Sequence, residues 1–263
     1  MSLDRVGALA TGHSANVTYL TQLSEADWAT PSRCEGWTVK DVVSHMAAAY
    51  HGAFTPWFLK LMLGKDVEAA NDRDVAKRQE WPTGKVLNEY ASWGRRFRPM
   101  AGALQKPGLR SLPIKVAEVG VYPAAVLTSA FVFDHTLHVT YDIAAALGRP
   151  TAKPDANMVA VGIEWMMLGL PAMSGGKLSW LQAPLELNLV GPGGSVWTIE
   201  PGGKKGRVQT RQGSANSPVA TIEGDAASFP LWGTGREPWR HAAVSIKGEE
   251  ALGATFLDDA RII

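Results

Sequence analysis

The chain has 263 residues, room for one or two domains at roughly 150 residues each, and is 46% hydrophobic and 19% charged. Lys+Arg 26 against Asp+Glu 25 leaves a net charge of +1, which excludes the basic excess of a general nucleic-acid or anionic-membrane binder. The single cysteine, Cys34, excludes a disulfide framework; the first residues lack an apolar signal core, and no run of about 18 apolar residues stands out, so a cytoplasmic chain with no membrane partner is expected.

Val6, Leu9, Ala10, His13, Val17 and Leu20 recur at helical spacing and predict a first helix ending by Leu23. Ser24 to Asp27 caps a single turn, and Pro31, Ser32 and Gly36 form a tight loop closed by Trp37. Thr38 with Asp41 makes a capping box that starts a second helix through His45 towards Tyr50, broken by Pro56. A polar stretch from Gly64 to Gln79 separates it from a helix over about Gly84 to Gln105. The longest periodic segment runs from about Pro123 to Leu147, with Val126, Ala130, Phe131, Leu137, Tyr141 and Ala145 on one arc and Gly148-Arg149-Pro150 as its stop. A further helix spans roughly Asp155 to Leu170, completing a four- or five-helix bundle.

Of 27 glycines, 15 fall in the last 95 residues, and the hydrophobic period shortens to two there. The expected domains are therefore residues 1–170, helical, and 171–263, a small α+β unit. Leu185, Leu187 and Leu189 alternate with polar residues, Gly191 to Gly194 turns the chain, and Ser195–Glu200 returns antiparallel. Strands near Arg207–Arg211, Val219–Glu223 and Ala243–Lys247 and helices at Asp225–Trp232 and Glu249–Leu257 complete the unit.

Polar residues on apolar arcs carry the functional signal, because a buried imidazole or carboxylate is costly unless paired or bound to metal. His45 lies among Val42, Met46, Ala48 and Ala49; Asp134 and His138 stack four residues apart on the arc of Ala130, Phe131, Leu137 and Tyr141. One residue from one helix and an i,i+4 pair from another form a three-ligand site suited to Zn²⁺, with Fe²⁺, Ni²⁺ or Mn²⁺ as alternatives. The competing reading is a hydrogen-bonded structural His–Asp pair. His135 with His138 is a second possible chelate, although His135 is turned from the Ala130–Phe131 side; His51 faces elsewhere, and His13 and His241 read as partly exposed.

Other templates fail. The segment from Gly169 to Leu178 lacks the spacing and the Ser/Thr of a phosphate loop, and no Gly-x-Ser-x-Gly is present. Cys34 reads as packing beside Trp37 before it reads as a nucleophile, and Lys204, Lys205, Arg207 and Arg211 as a solvated hairpin before an anion site. The ten tryptophans are core and pocket material.

The run from Ala29 to His45 resembles the P-S-x-C-x-G-W-[ST]-[VI]-x-D-[VI]-[VL]-x-H signature of the DinB-like mycothiol-dependent maleylpyruvate isomerase family. Asp134 to His138 followed by Asp142 to Pro150 resembles that family's acid-x-x-x-His ending, and the segments at 220–225, 231–236 and 246–248 are similar to its sterol-carrier-like C-terminal domain. The resemblance implies a divalent metal on His45, Asp134 and His138, with mycothiol delivered to it as a thiolate. Two departures stand out: the family often has Glu where Asp134 stands, and Asp142 follows His138 by four residues where three is commoner, leaving its role as a partner of the ligands open. Arg236 is a candidate for binding a substrate carboxylate.

The expected function is a metal- and mycothiol-dependent isomerase or S-transferase acting on a small electrophilic metabolite, as monomer or homodimer. The alternative is a non-catalytic module binding a small or lipid-like molecule, its metal structural or absent.

Overall fold

The computed structural model describes residues 3–56 and 66–262. The chain is a mixed α and β protein that divides into two compact units, Asp4–Lys153 and, with Met1–Leu3, Pro154–Ile263. The division falls at residues 153 and 154, not near 170, so the helix that follows Pro154 goes with the sheet.

In the first unit α1 (Arg5–Leu20) starts at Asp4, whose carboxylate accepts from the Gly7 N–H at 2.8 Å. Capping boxes at Ser24 and Thr38 start α2 (Glu25–Trp28) and α3 (Val39–Gly52), each satisfying backbone donors worth about 1 kcal/mol. Within the region read as a polar stretch lies α4 (Val67–Ala76), begun by an Asp66 side chain that accepts from Ala69 N–H. This helix has little apolar stripe to betray it. It is held instead by the buried Arg78, which donates to the Asp74 carbonyl at 2.9 Å and, through Nε and Nη2, to both oxygens of Glu89 at 2.7 and 2.8 Å. Glu89 belongs to α5 (Thr83–Leu104).

A hairpin the sequence reading did not contain, β1 (Pro113–Val116) and β2 (Gly120–Pro123), joins α5 to the long helical segment, with Ile114 opposite Tyr122. That segment, read as one helix, is built of four pieces: a 3-10 turn at Ala124–Val126, α6 (Leu127–Leu137), a π-helical turn at His138–Ile143 and α7 (Ala144–Leu147). Gly148, at φ 63°, ends it in the left-handed conformation expected of a C-terminal glycine. Helix α3 packs on α5, and α1 on α5 and α6. At their centre Tyr50 stacks on Phe131 at 5.2 Å between ring centroids, with Tyr90 and Phe97 alongside.

In the second unit α8 (Ala156–Met173) begins at an Asp155 cap. It qualifies a sequence expectation: by length and composition alone it is apolar enough to cross a bilayer, but more than half of it is buried and it packs against strand 209–212, where Thr210 Oγ1 donates to the Met167 carbonyl at 2.7 Å. The sheet runs in the order β5 (Gln209–Gln212), β4 (Val196–Glu200), β3 (Leu185–Val190), β6 (Ala220–Asp225), β7 (Ser245–Gly248). All neighbours are antiparallel except the central pair β3 and β6, where Leu185 registers with Ala220. Leu185, Leu187 and Leu189 are buried, the alternation the sequence showed. Helices α9 (Phe229–Gly233) and α10 (Glu250–Asp259) complete the unit, with a cavity of about 20 Å³ among Leu170, Leu187, Phe229, Trp232, Phe256 and Ile262.

Candidate metal centre

Three segments of the first unit meet at one spot. The Thr38 capping box fixes where α3 begins, and two turns in, it presents His45, buried at 8% exposure. Helix α6 supplies Asp134 and the π-helical turn supplies His138. The loop before α3 is pinned by the Pro31–Thr38 bridge and by Ser32 N–H donating to the Trp37 carbonyl at 2.9 Å. It docks on the π-helical turn through Arg33 N–H, which donates to the Asp142 carbonyl at 3.0 Å.

His45 Nε2 lies 3.4 Å from Asp134 Oδ2, and His138 Nε2 lies 3.4 Å from Asp134 Oδ1. One atom from each of the three side chains falls within 4.8 Å of the others. A tetrahedral ion with bonds of about 2.0–2.1 Å to nitrogen and oxygen has ligand atoms roughly 3.3 Å apart; each imidazole lies at about that separation from one of the two carboxylate oxygens, a donor set of the kind that holds Zn²⁺. The side chains of His45 and His138 are each 11% exposed and that of Asp134 38%, which leaves one side of the group open to a small molecule.

The outer edge of His138 is equally organised. Its Nδ1 lies 2.8 Å from Oδ2 of the buried Asp142, and Cys34 Sγ is 3.7 Å from the same nitrogen. A proton on Nδ1 shared with Asp142 leaves the Nε2 lone pair for a metal, the arrangement by which a carboxylate fixes the tautomer of a ligating histidine. The four-residue spacing that departed from the family's pattern is spanned by the wide π turn.

The electrostatics couple Asp134 to His138. Burial opposes ionisation of Asp134, but the charge on His138 and hydrogen bonds from His138 and His45 hold its carboxyl well below the ordinary value. Burial would likewise lower His138, yet the Asp134 charge, followed by bonds to Asp134, Asp142 and Cys34, raises it well above that of a free imidazole. In the metal-free protein a protonated His138 supplies the positive charge that Asp134 faces. A metal must displace that proton.

Of the residues singled out from sequence, His45, Asp134 and His138 come together. Arg236 lies exposed in the second unit, where its Nη1 donates to Thr234 Oγ1 at 3.2 Å. His51 faces away, as its spacing indicated, with Nδ1 2.7 Å from Glu89 Oε1. His13, read as partly exposed, is buried: Nε2 meets the Tyr90 carbonyl at 3.3 Å, Arg98 Nη2 donates to Nδ1 at 3.3 Å, and burial pushes its pKa down to about 4. Cys34, read as packing beside Trp37, also reaches His138; the two are 104 residues apart and no local pattern signals the contact. Trp37 packs against His45, ring centroids 5.5 Å apart. His135 is not part of the converging group among the described residues; it is buried among aromatic rings and pushed down to about 3 by burial, hence neutral.

The sequence profile of the family described as "Mycothiol maleylpyruvate isomerase N-terminal domain" matches residues 9–144, more than half of the chain. Two solved structures are similar over nearly the full length. A crystal structure of a histidine-to-alanine mutant of the mycothiol-dependent maleylpyruvate isomerase superposes with a TM-score of 0.58 at 14% identity, covering 94% of this chain and 96% of that one. A second crystal structure of the mycothiol-dependent maleylpyruvate isomerase gives 0.55 at 13% identity, covering 90% and 93%. At these identities the likeness establishes the fold. No curated protein sequence matches the chain.

Proposed function

Because the chain belongs to the family of the mycothiol maleylpyruvate isomerase N-terminal domain, we propose that it is a divalent-metal enzyme using mycothiol on a small electrophilic metabolite. The observation that carries this reading is the convergence of His45 Nε2, His138 Nε2 and the Asp134 carboxylate from two helices. Two neutral imidazoles and one carboxylate favour zinc. When bound, such an ion acts as a Lewis acid that keeps a thiol ionised at neutral pH.

The chain's own residues do the rest. Asp142 holds the Nδ1 proton of His138 and so keeps Nε2 available as a donor. Trp37 covers one side of His45 and limits its exposure to water, while the open side of Asp134 admits the thiol and the electrophile. A thiolate adding to one carbon of a C=C conjugated with a carbonyl would break the π bond and send its electron pair to the carbonyl oxygen as an enolate, leaving a single bond free to rotate. Re-formation of the C=C with expulsion of the thiolate is isomerisation; protonation of the enolate carbon with the C–S bond kept is transfer. Arg236 is retained as a candidate for a substrate carboxylate, on the chemistry of its guanidinium.

The test is metal content followed by thiol stoichiometry. Protein grown with zinc is expected to carry about one ion per chain, lost in His45→Ala. With a maleylpyruvate-like cis-4-oxo-2-enoate and mycothiol, isomerisation leaves free thiol constant, whereas transfer consumes it mole for mole. Absence of metal from both wild type and His45→Ala would overturn the proposal in favour of a non-catalytic binding module. The cavity among Leu170, Leu187 and Phe229 has room for about one water, too little for a lipid-like ligand.

A further inference from the structure

His135 sits where an imidazole is expensive. It is 2% exposed and enclosed by Tyr50, whose ring stands edge-on at 4.4 Å, by Tyr90 at 5.5 Å and by Phe131 at 5.6 Å. Neither ring nitrogen has a hydrogen-bond partner among the described residues. A leucine or phenylalanine would fill such an aromatic cage without leaving two buried polar atoms unsatisfied. Natural chains break a packing rule of this kind mainly at functional sites.

The carboxylate of its own neighbour lies close to His135. His135 Nε2 lies 3.7 Å from Asp134 Oδ2, just outside hydrogen-bond reach, on the same oxygen that faces His45 Nε2 at 3.4 Å. His135 is absent from the group of donor atoms that converge, so it stands beside the carboxylate rather than beside the place of an ion. Its backbone is fixed independently, because Asn16 Nδ2 donates to the His135 carbonyl at 3.2 Å. The ring thus presents Nε2 to Asp134 Oδ2 from a fixed backbone.

Resting on the reading of His45, Asp134 and His138 as a metal centre, we infer that His135 is a positioning residue for Asp134, its Nε2–H serving as the donor that orients the carboxylate towards an ion. The role extends to the acid what Asp142 does for His138: a group outside the ligand set holds a ligand in the geometry that binds. The imidazole is kept at the expense of metal-free stability.

Metal-stripped wild type, His135→Phe and His135→Gln distinguish this from a packing role. Three measurements are made on each: Zn²⁺ affinity by chelator competition, the visible absorption of the Co²⁺ form, and the melting temperature without metal. Expected for His135→Phe are a higher metal-free melting temperature, Zn²⁺ affinity weaker by about 10- to 100-fold, and an altered Co²⁺ spectrum. His135→Gln, which restores a donor, should recover part of the affinity. If the Phe variant does not fold, His135→Leu is read on the same measures. Wild-type affinity and an unchanged Co²⁺ spectrum in the apolar variant would overturn the inference, as would a lower melting temperature with affinity intact. Were wild type itself to bind neither ion, the metal-centre reading would fall and this inference with it.

Discussion

Asp142→Asn keeps the shape of a buried side chain and removes its charge. In the wild type, Asp142 Oδ2 is 2.8 Å from His138 Nδ1 and the side chain is 2% exposed, so water does not compete for the bond. A charge-assisted bond of that length is roughly twice as strong as a neutral one. Losing such a partner of a ligating histidine weakens metal binding by about 10- to 100-fold, or about 1.4–2.7 kcal/mol. The upper part of that range is expected, because the Asn amide can turn its NH₂ towards Nδ1 and favour the tautomer that places the hydrogen on Nε2, where it blocks the ion. The assay is competition for Zn²⁺ between metal-stripped protein and a chromophoric chelator near neutral pH, with circular dichroism to establish the fold. Cys34→Ser is the matched comparison: its sulfur is 3.7 Å from the same nitrogen, and the change should alter affinity by less than about threefold. Unchanged affinity in Asp142→Asn, or a greater loss in Cys34→Ser, would refute the argument that Asp142 fixes the tautomer.

The remaining predictions concern the scaffold that holds the centre. His13 is neutral when folded at a pKa of about 4 against 6.5 when free, so the unfolded chain takes up the proton first. Its contribution is therefore complete above about pH 6.5 and is lost as pH falls towards 4, by about 3 kcal/mol. Urea midpoints across that window should fall less steeply in His13→Gln than in wild type, and equal slopes would count against it. Gly94→Ala drives a Cβ into His13 Nε2, so the ring must leave its bond to the Tyr90 carbonyl. Overpacking of about 1–3 kcal/mol and the stranded N–H outweigh the roughly 1 kcal/mol gained by a better helix former, and a raised urea midpoint would contradict this. Arg78→Ala leaves the buried Glu89 with His51 as its remaining ionic partner; a loss of about 3–5 kcal/mol is expected, and a loss under 1 kcal/mol would show that the pair adds little.

The convergence of His45, Asp134 and His138 was legible because these residues break the hydrophobic pattern of the helices that carry them. His45 sits in a run of Val, Met and Ala, and Asp134 with His138 occupies the apolar arc of the longest helical segment. The capping boxes at Ser24 and Thr38 and the leucine alternation of β3 were legible for the same reason: each is a local rule with a fixed spacing. What sequence did not reveal depends on contacts between distant positions. Helix α4 is secured by Arg78 reaching Glu89 on another helix, not by an apolar stripe of its own. The parallel pairing of β3 with β6 and the approach of Cys34 to His138 are set by tertiary packing. His13 was misjudged because the groove that buries it is opened by Gly94, on a helix about eighty residues later in the chain.

Adding one residue to an ordinary α-helix rotates everything beyond it by about 100° and would swing a buried face into water. In this chain His138–Ile143 takes up that excess as a local loosening of the coil, so the helix resumes at Ala144 and still closes at Gly148. The upstream half, which carries Asp134 and presents His138, is thereby uncoupled from the downstream half that anchors the unit. Substitutions on one side of the loosened coil can alter the surroundings of Asp134 and His138 without dragging the other side out of register.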